Sequence, residues 1–530
     1  MKKCPYCQNE NEDNSVFCFN CGAKLTEDEA KEVQETANIE TAEASAEDSA
    51  EENTQQQSAT PEGDTAAAAA NNESGGKFSW KSWKSKIIPV AAVLLVLILI
   101  VAIINAARPG KYTEIKNNAV FLPLKDEAVA FFDKKKAVKI DDTNLSGTVN
   151  LQNTAIIYTN SDKELFYLGS NDKSPKKIAS DVTTKVFSEN GKMIYYMADT
   201  ELYSVSTGST KPKKIDSDVT SFIVSPDGKT AAYMKDGEVY VNKGKAEKKD
   251  LSEENGVALR AVSNGGKYLY YDKEGKLYVM KGKESVSLGE LSNSNVTFNA
   301  DKSQVLYNKE NGTYLSINGK DGEKVISKNY SSVVTPALST RIVKDFQNAL
   351  VMADSGLYNI GKNTEKTKKI LSNIEGSGYL SKDGKRFIYK KGDSIYLLTK
   401  FNDENAEPKE LNREVKDIVN YTTNPDAKKV CFINADEELY YVNGTSKPKK
   451  VTDDVTSLYA SFDKKSFYTI KDDELYATVN GGKLKKVNGI EDVIAVVSMV
   501  NCDICLTDEG VYRSTGGNKF EKLSDSSIGY

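Results

Sequence analysis

From Asn118 onward, short apolar stretches alternate with polar turns, and none keeps the 3.6-residue period of a packed helix. The pattern predicts strands. One unit reads as an apolar strand, Thr220 to Val224, a turn, Ser225-Pro226-Asp227-Gly228-Lys229, a second apolar strand, Thr230 to Met234, and a strand ending in an aromatic residue, Glu238-Val239-Tyr240. A lysine-rich strand closes each unit, as Lys213-Lys214-Ile215 closes the preceding one. The aromatic-ended strand returns as Glu164-Leu165-Phe166, Glu201-Leu202-Tyr203, Gly356-Leu357-Tyr358, Glu438-Leu439-Tyr440 and Gly510-Val511-Tyr512, among others, at steps of 36 to 38 residues interrupted by two steps of 44. That period is one four-stranded β-propeller blade.

Each part of the unit has a physical reason. Asp227-Gly228, Asn190-Gly191 and Asp383-Gly384 suit hairpin turns that need positive φ. Near-continuous apolar strands suit sheets packed on both faces by neighbours, and lysines on the last strand guard an exposed edge against pairing with other molecules. The stretch Asn118 to Ile140 has the form of a blade without its first strand, whereas Ser526 to Tyr530 stands in the register of a first strand with nothing after it. Pairing the two would close a ring. Counting that hybrid gives about eleven blade-like units, above the usual four to eight, so two propellers parting near Asn329 to Thr335 are expected ahead of one very wide ring. The S-P-D-G-K turn and the aromatic-ended strands resemble those of the TolB-like β-propeller group. The resemblance covers 112–530 and implies binding of proteins or cell-envelope components.

The first hundred residues follow other rules. Cys4-Pro5-Tyr6-Cys7 and Cys18-Phe19-Asn20-Cys21-Gly22 are two CxxC pairs, the spacing with which four thiolates close a tetrahedral structural Zn²⁺ shell. A segment of this size (1–25) takes most of its folding free energy from the metal. The pattern resembles the small N-terminal zinc-ribbon of bacterial membrane proteins, departing from it at Gln8, where a second glycine is common. Glu10, Glu12 and Asp13 between the knuckles would repel phosphate, so a regulatory protein contact is expected and nucleic acid is not.

Residues 26–76 carry fourteen acids against the lone Lys31 and almost no large apolar side chain, the composition of a disordered acidic linker. Residues 77–86 are basic and aromatic, with Lys77, Lys81, Lys84, Lys86, Trp80 and Trp83. The run 87–107 is 21 residues without a charge, long enough at about 1.5 Å per residue to cross a hydrocarbon layer of about 30 Å. The lysines before it place the N-terminus in the cytoplasm and 112–530 outside the cell membrane, and thiolates that bind zinc want the same reducing side.

Composition narrows the chemistry. The chain has 530 residues, a net charge of -5 and no histidine, which excludes imidazole bases, His-ligated metals and histidine pH switches. Asp181, Asp218, Asp454 and Asp492, each followed by valine, recur once per unit, as turn residues do and catalytic residues do not. Cys431, Cys502 and Cys505 are an odd three and read as buried thiols. No catalytic residue and no cofactor beyond Zn²⁺ is expected. The function expected is a single-pass membrane protein whose exterior propeller binds a protein or envelope ligand while the cytoplasmic ribbon contacts a regulatory partner. An exterior glycan hydrolase and a purely structural envelope protein are the rivals.

Overall fold

The computed structural model describes residues 2–3, 10–11 and 112–527, except 134, 143, 250–255, 400, 402–406 and 517. Two units are distinguished, 1–108 and 109–530. In the first, Lys2–Lys3 pairs antiparallel with Glu10–Asn11. The linker and the apolar run 87–107 lie outside the described residues, among which no helix is long and apolar enough to cross a membrane.

In the second unit the described strands form eleven antiparallel sheets, ten of four strands and one of three, each with its strands in chain order. The sheets are numbered here along the chain: 1 (119–140), 2 (146–179), 3 (182–216), 4 (219–249), 5 (258–290), 6 (296–326), 7 (330–371), 8 (375–410), 9 (418–452), 10 (457–486) and 11 (493–524). Consecutive sheets share a core at every step. Leu202 of sheet 3 packs with Tyr233 of sheet 4, Leu306 of sheet 6 with Tyr330 of sheet 7, and Tyr468 of sheet 10 with Cys505 of sheet 11. The cycle then closes: Val120, Val129 and Phe131 of sheet 1 share a core with Ile504 and Val511 of sheet 11. The second unit is therefore an eleven-bladed β-propeller, and each of its eleven shared cores is built, among the described residues, from the unit's own chain segment.

Two propellers parting near Asn329 to Thr335 were the expectation, and the structure corrects it. The core runs without a break through that region because Tyr330 is bonded backward. Its N–H donates to Asn308 Oδ1 (3.0 Å), its carbonyl accepts from Asn308 Nδ2 (2.9 Å), and its hydroxyl lies 3.0 Å from Thr297 Oγ1, so sheet 6 holds the first strand of sheet 7. Sheet 1 has three described strands, and of the segment expected to complete it, Ser526 to Tyr530, only Ser526 and Ser527 are described. Lys125 N–H donates to Ser527 carbonyl (3.2 Å), the bond that Asp199 and Asp181 make in sheet 3 (3.3 Å) and Asp508 and Asp492 in sheet 11 (3.2 Å). Ser527 thus stands where the other sheets begin their first strand.

The repeat motif is also explained. The aromatic of the third strand sits opposite an aromatic of the second, as in Tyr196↔Tyr203, Tyr233↔Tyr240 and Phe432↔Tyr440, with ring centroids 5.2, 5.6 and 5.4 Å apart. Cross-strand pairs of this kind add roughly 0.2–1 kcal/mol each. The glutamate before the aromatic pairs with a fourth-strand lysine, Glu201 with Lys214, Glu438 with Lys450 and Glu474 with Lys486, while Tyr203, Tyr440 and Tyr476 donate their hydroxyls to the same carboxylates. The fourth-strand lysines therefore staple the sheet edge as well as guarding it.

Candidate functional site

Cys4, Cys7, Cys18 and Cys21 lie outside the described residues; the short strand pair Lys2–Lys3 and Glu10–Asn11 flanks the first CxxC in sequence. Four sulfur donors at this spacing suit Zn²⁺.

The recurrent aspartates are turn residues. Asp181, Asp218, Asp454 and Asp492 have φ of 58°, 58°, 57° and 50°, the left-handed region that aspartate tolerates better than most residues. Cys431, Cys502 and Cys505 are buried free thiols. Cys502 belongs to the core between sheets 11 and 1 and Cys505 to that between sheets 10 and 11, so these two cysteines, though spaced as a CxxC, face opposite sides of their sheet and are no redox pair. Burial pushes the Cys502 thiol up to about 11 and that of Cys505 to about 12.

Sequence reasoning missed a cavity of about 250 Å³ where the turns between first and second strands converge. Glu189 and Asn190 of sheet 3, Asp227 of sheet 4, Asn264 of sheet 5 and Ala300 of sheet 6 line it, with Thr340 and Lys344 from the long turn of sheet 7 and Thr113 from the chain entering sheet 1. The turns are wired in series. Asn190 Nδ2 donates to Asp227 carbonyl (2.7 Å), Asp227 N–H to Asn264 Oδ1 (2.9 Å), and Lys302 pairs with Glu189 across the cluster. Thr340 N–H donates to Thr113 carbonyl (2.9 Å) and Ile115 N–H to Leu338 carbonyl (2.8 Å), so the entering chain and the long turn meet at this mouth. The one available signal was the 44-residue step between Tyr314 and Tyr358, which that turn lengthens.

First strands of successive sheets are the ones that approach each other, as Val219–Val224 approaches Ala258–Val262 and Ile418–Thr423 approaches Ser457–Ala460, which makes them the inner wall. On that wall sheets 8, 9 and 11 expose large apolar groups: Tyr379 is 42 % exposed, Val419 63 %, Ile494 38 % and Val497 48 %. Tyr379 and Tyr421 meet edge to face at 5.5 Å.

Residues 3–25 match the zinc-ribbon domain family, which gives the chain an N-terminal zinc-ribbon. No curated protein matches the chain. Among solved structures it is similar to a eukaryotic initiation factor (12 % identity, TM-score 0.37, covering 64 % of this chain and 97 % of that one). It is also similar to the extracellular domain of a putative one component system from B. thetaiotaomicron (10 %, TM-score 0.25, 78 % of each chain). A third is a GH74 enzyme from Niastella koreensis (11 %, TM-score 0.27, 77 % of this chain and 83 % of that one).

Proposed function

We propose that the protein is a membrane-anchored binding protein whose propeller takes up a protein or cell-envelope ligand on its inner wall. The observation that carries this reading is the exposure of Val419, Val497, Tyr379 and Ile494 on first strands, with Tyr379 and Tyr421 in contact between sheets 8 and 9, because solvent-facing apolar groups on an inner wall suit an interaction surface. A spacer has no use for them. In this reading Cys4, Cys7, Cys18 and Cys21 hold one structural Zn²⁺ and the ribbon presents an acidic surface to a cytoplasmic protein. Residues 87–107 cross the membrane once, with the N-terminus in the cytoplasm and the propeller outside. The role assigned is binding and not catalysis.

A photo-crosslinker placed at Val419 in living cells should give one discrete adduct, and the same group at Lys213 on an outer strand should give none. A smear from both positions, or no adduct at Val419, would sink the proposal.

A further inference from the structure

The two faces of the ring differ in charge balance: on one, lysines outnumber the acids that share their turns, Glu189, Asp227, Asp383, Asp426 and Asp463, and on the other, acids predominate. In a sheet whose four strands run in chain order, the turns from first to second and from third to fourth strand fall on one face, and the turns from second to third strand, with the links to the next sheet, fall on the other. Hydrogen bonds confirm the sorting. Turns of the first kind join one another from sheet to sheet, Asn190 N–H to Pro226 carbonyl (2.9 Å) and Lys382 N–H to Pro425 carbonyl (2.8 Å). Turns of the second kind join the strand entries, as Val219 N–H donates to Thr200 carbonyl (2.8 Å).

On the first face the turn before the second strand ends in a lysine in sheet after sheet: Lys192, Lys229, Lys267, Lys385, Lys428 and Lys465. All six are exposed, and none has a carboxylate at ion-pair distance among the described residues. Lys211, Lys245, Lys283 and Lys320 add to the same face from the turns between third and fourth strands. The opposite face is acidic. Its turns present Asp199, Asp236, Glu274, Asp354, Asp436 and Asp472, all exposed. Asp181, Asp218, Asp454 and Asp492 stand beside them at the strand entries. A net charge near zero for the ring as a whole thus hides a dipole along its axis.

We propose that the lysine face is a docking surface for the anionic headgroups of a lipid bilayer. Phosphate-bearing headgroups lie in a plane, and the lysines are spread around one face of a ring, each at the same place in its turn. The acidic face is repelled by such a surface, so attraction and repulsion set the same orientation. The chain also enters the ring on the lysine face, where Thr113 sits among the converging turns, and in sequence Tyr112 follows the last residue of the apolar run, Ala107, after only four residues. The inference rests on the single-pass topology proposed above, in which the membrane span precedes the ring by a few residues in sequence.

The test uses residues 109–530, which hold all eleven shared cores, with vesicles of 30 % phosphatidylglycerol in phosphatidylcholine at low salt. About fivefold in affinity per lysine is expected from a residue close to an anionic surface. Replacing the six turn lysines by glutamine should therefore weaken binding at least about 100-fold with the melting temperature kept. Changing Asp199, Asp236, Asp354, Asp436 and Asp472 to asparagine should leave binding unchanged, and about 0.5 M salt should abolish it, since the screening length then falls below about 5 Å. Equal binding to pure phosphatidylcholine, or unaltered binding by the six-lysine variant, would overturn the proposal. So would saturable binding of soluble poly(glycerol phosphate) with none to vesicles, which would make the face a polymer site. Failure of the topology is read separately: alkaline carbonate would extract the full-length chain from membranes, whatever the isolated ring does with vesicles.

Discussion

Arg513 of sheet 11 lays its guanidinium 4.8 Å above the ring of Phe131 in sheet 1, and this stack lies at the seam where the propeller closes. The same guanidinium donates to the carbonyls of Asp133 (3.1 Å) and Lys135 (2.8 Å) and is held from its own sheet by Glu521 (2.8 Å). With the side chain only 4 % exposed, these bonds are made away from water, where their loss strands two acceptors.

Arg513→Ala is expected to cost about 2–4 kcal/mol, the sum of a cavity and two orphaned carbonyls. Arg513→Lys should recover only part of it, because one ammonium cannot reproduce the planar fork. Denaturant unfolding of residues 109–530 measures both, and a loss below about 0.5 kcal/mol for the alanine variant would show that the seam does not depend on this residue.

Asp181 separates a turn role from a ligand role. Asp181→Val, forcing a β-branched residue to a φ of 58°, should cost about 1–2 kcal/mol, whereas Asp181→Gly should be close to neutral. If the glycine variant keeps its melting temperature yet loses binding of the cross-linked partner, the aspartate serves the ligand.

Acid should loosen the ring edge by edge. Lys450 first, then Tyr440 and Asn434, hold the Glu438 carboxyl down to about 2, and Glu164, Glu201 and Glu474 are lowered mainly by Lys177, Lys214 and Lys486. A carboxyl lowered by folding stabilises above its unfolded value, about 4.3, and that stability is lost as pH falls toward the folded value. Asp503, whose carboxyl burial raises, has the opposite slope. The melting temperature should fall between pH 5 and pH 2, and less steeply in a variant with all four glutamates changed to glutamine. Identical slopes would remove these pairs from the account.

Cys431, Cys502 and Cys505 should resist a thiol-specific reagent at pH 8 until the ring unfolds, since all three are buried and their thiols are held far above that pH. Mild oxidants should form no bond between Cys502 and Cys505, whose side chains enter different cores. Rapid modification of Cys502 in the folded protein would show a mobile seam.

For the ribbon, a fragment of residues 1–30 purified under reducing conditions should carry one zinc per chain, and Cys4→Ser should abolish its folding, given the roughly 10 kcal/mol or more that such sites supply. Elemental analysis giving under about half a zinc would count against the assignment. The propeller of a full-length Cys4→Ser protein should melt unchanged.

Blades were legible in the sequence because their cause is local. Hairpin turns, paired aromatics such as Tyr233 and Tyr240 and the lysine-rich edges repeat within one period, and the left-handed aspartates could be read as turns for the same reason. The number of rings was not legible, because it depends on the distant contact of Phe131 with Arg513 and on whether Tyr330 bonds backward to Asn308. The cavity escaped for a related reason. Thr113 and Thr340 belong to irregular segments with no period, and only their meeting gives them a place.

The bond from Lys125 N–H to Ser527 carbonyl joins sites separated by nearly the whole ring in sequence, which has a kinetic consequence. The three strands of sheet 1 are neighbours in sequence and can pair locally, yet the first-strand position beside them stays empty until residues around Ser527 arrive. Meanwhile the open arc shows the faces that carry Val120 and Phe131 at one end and Ile504 and Val511 at the other. Closing so long a loop costs chain entropy before any contact offsets it, so ring closure is the slow step and the open arc is the species prone to exchange ends with a neighbouring chain.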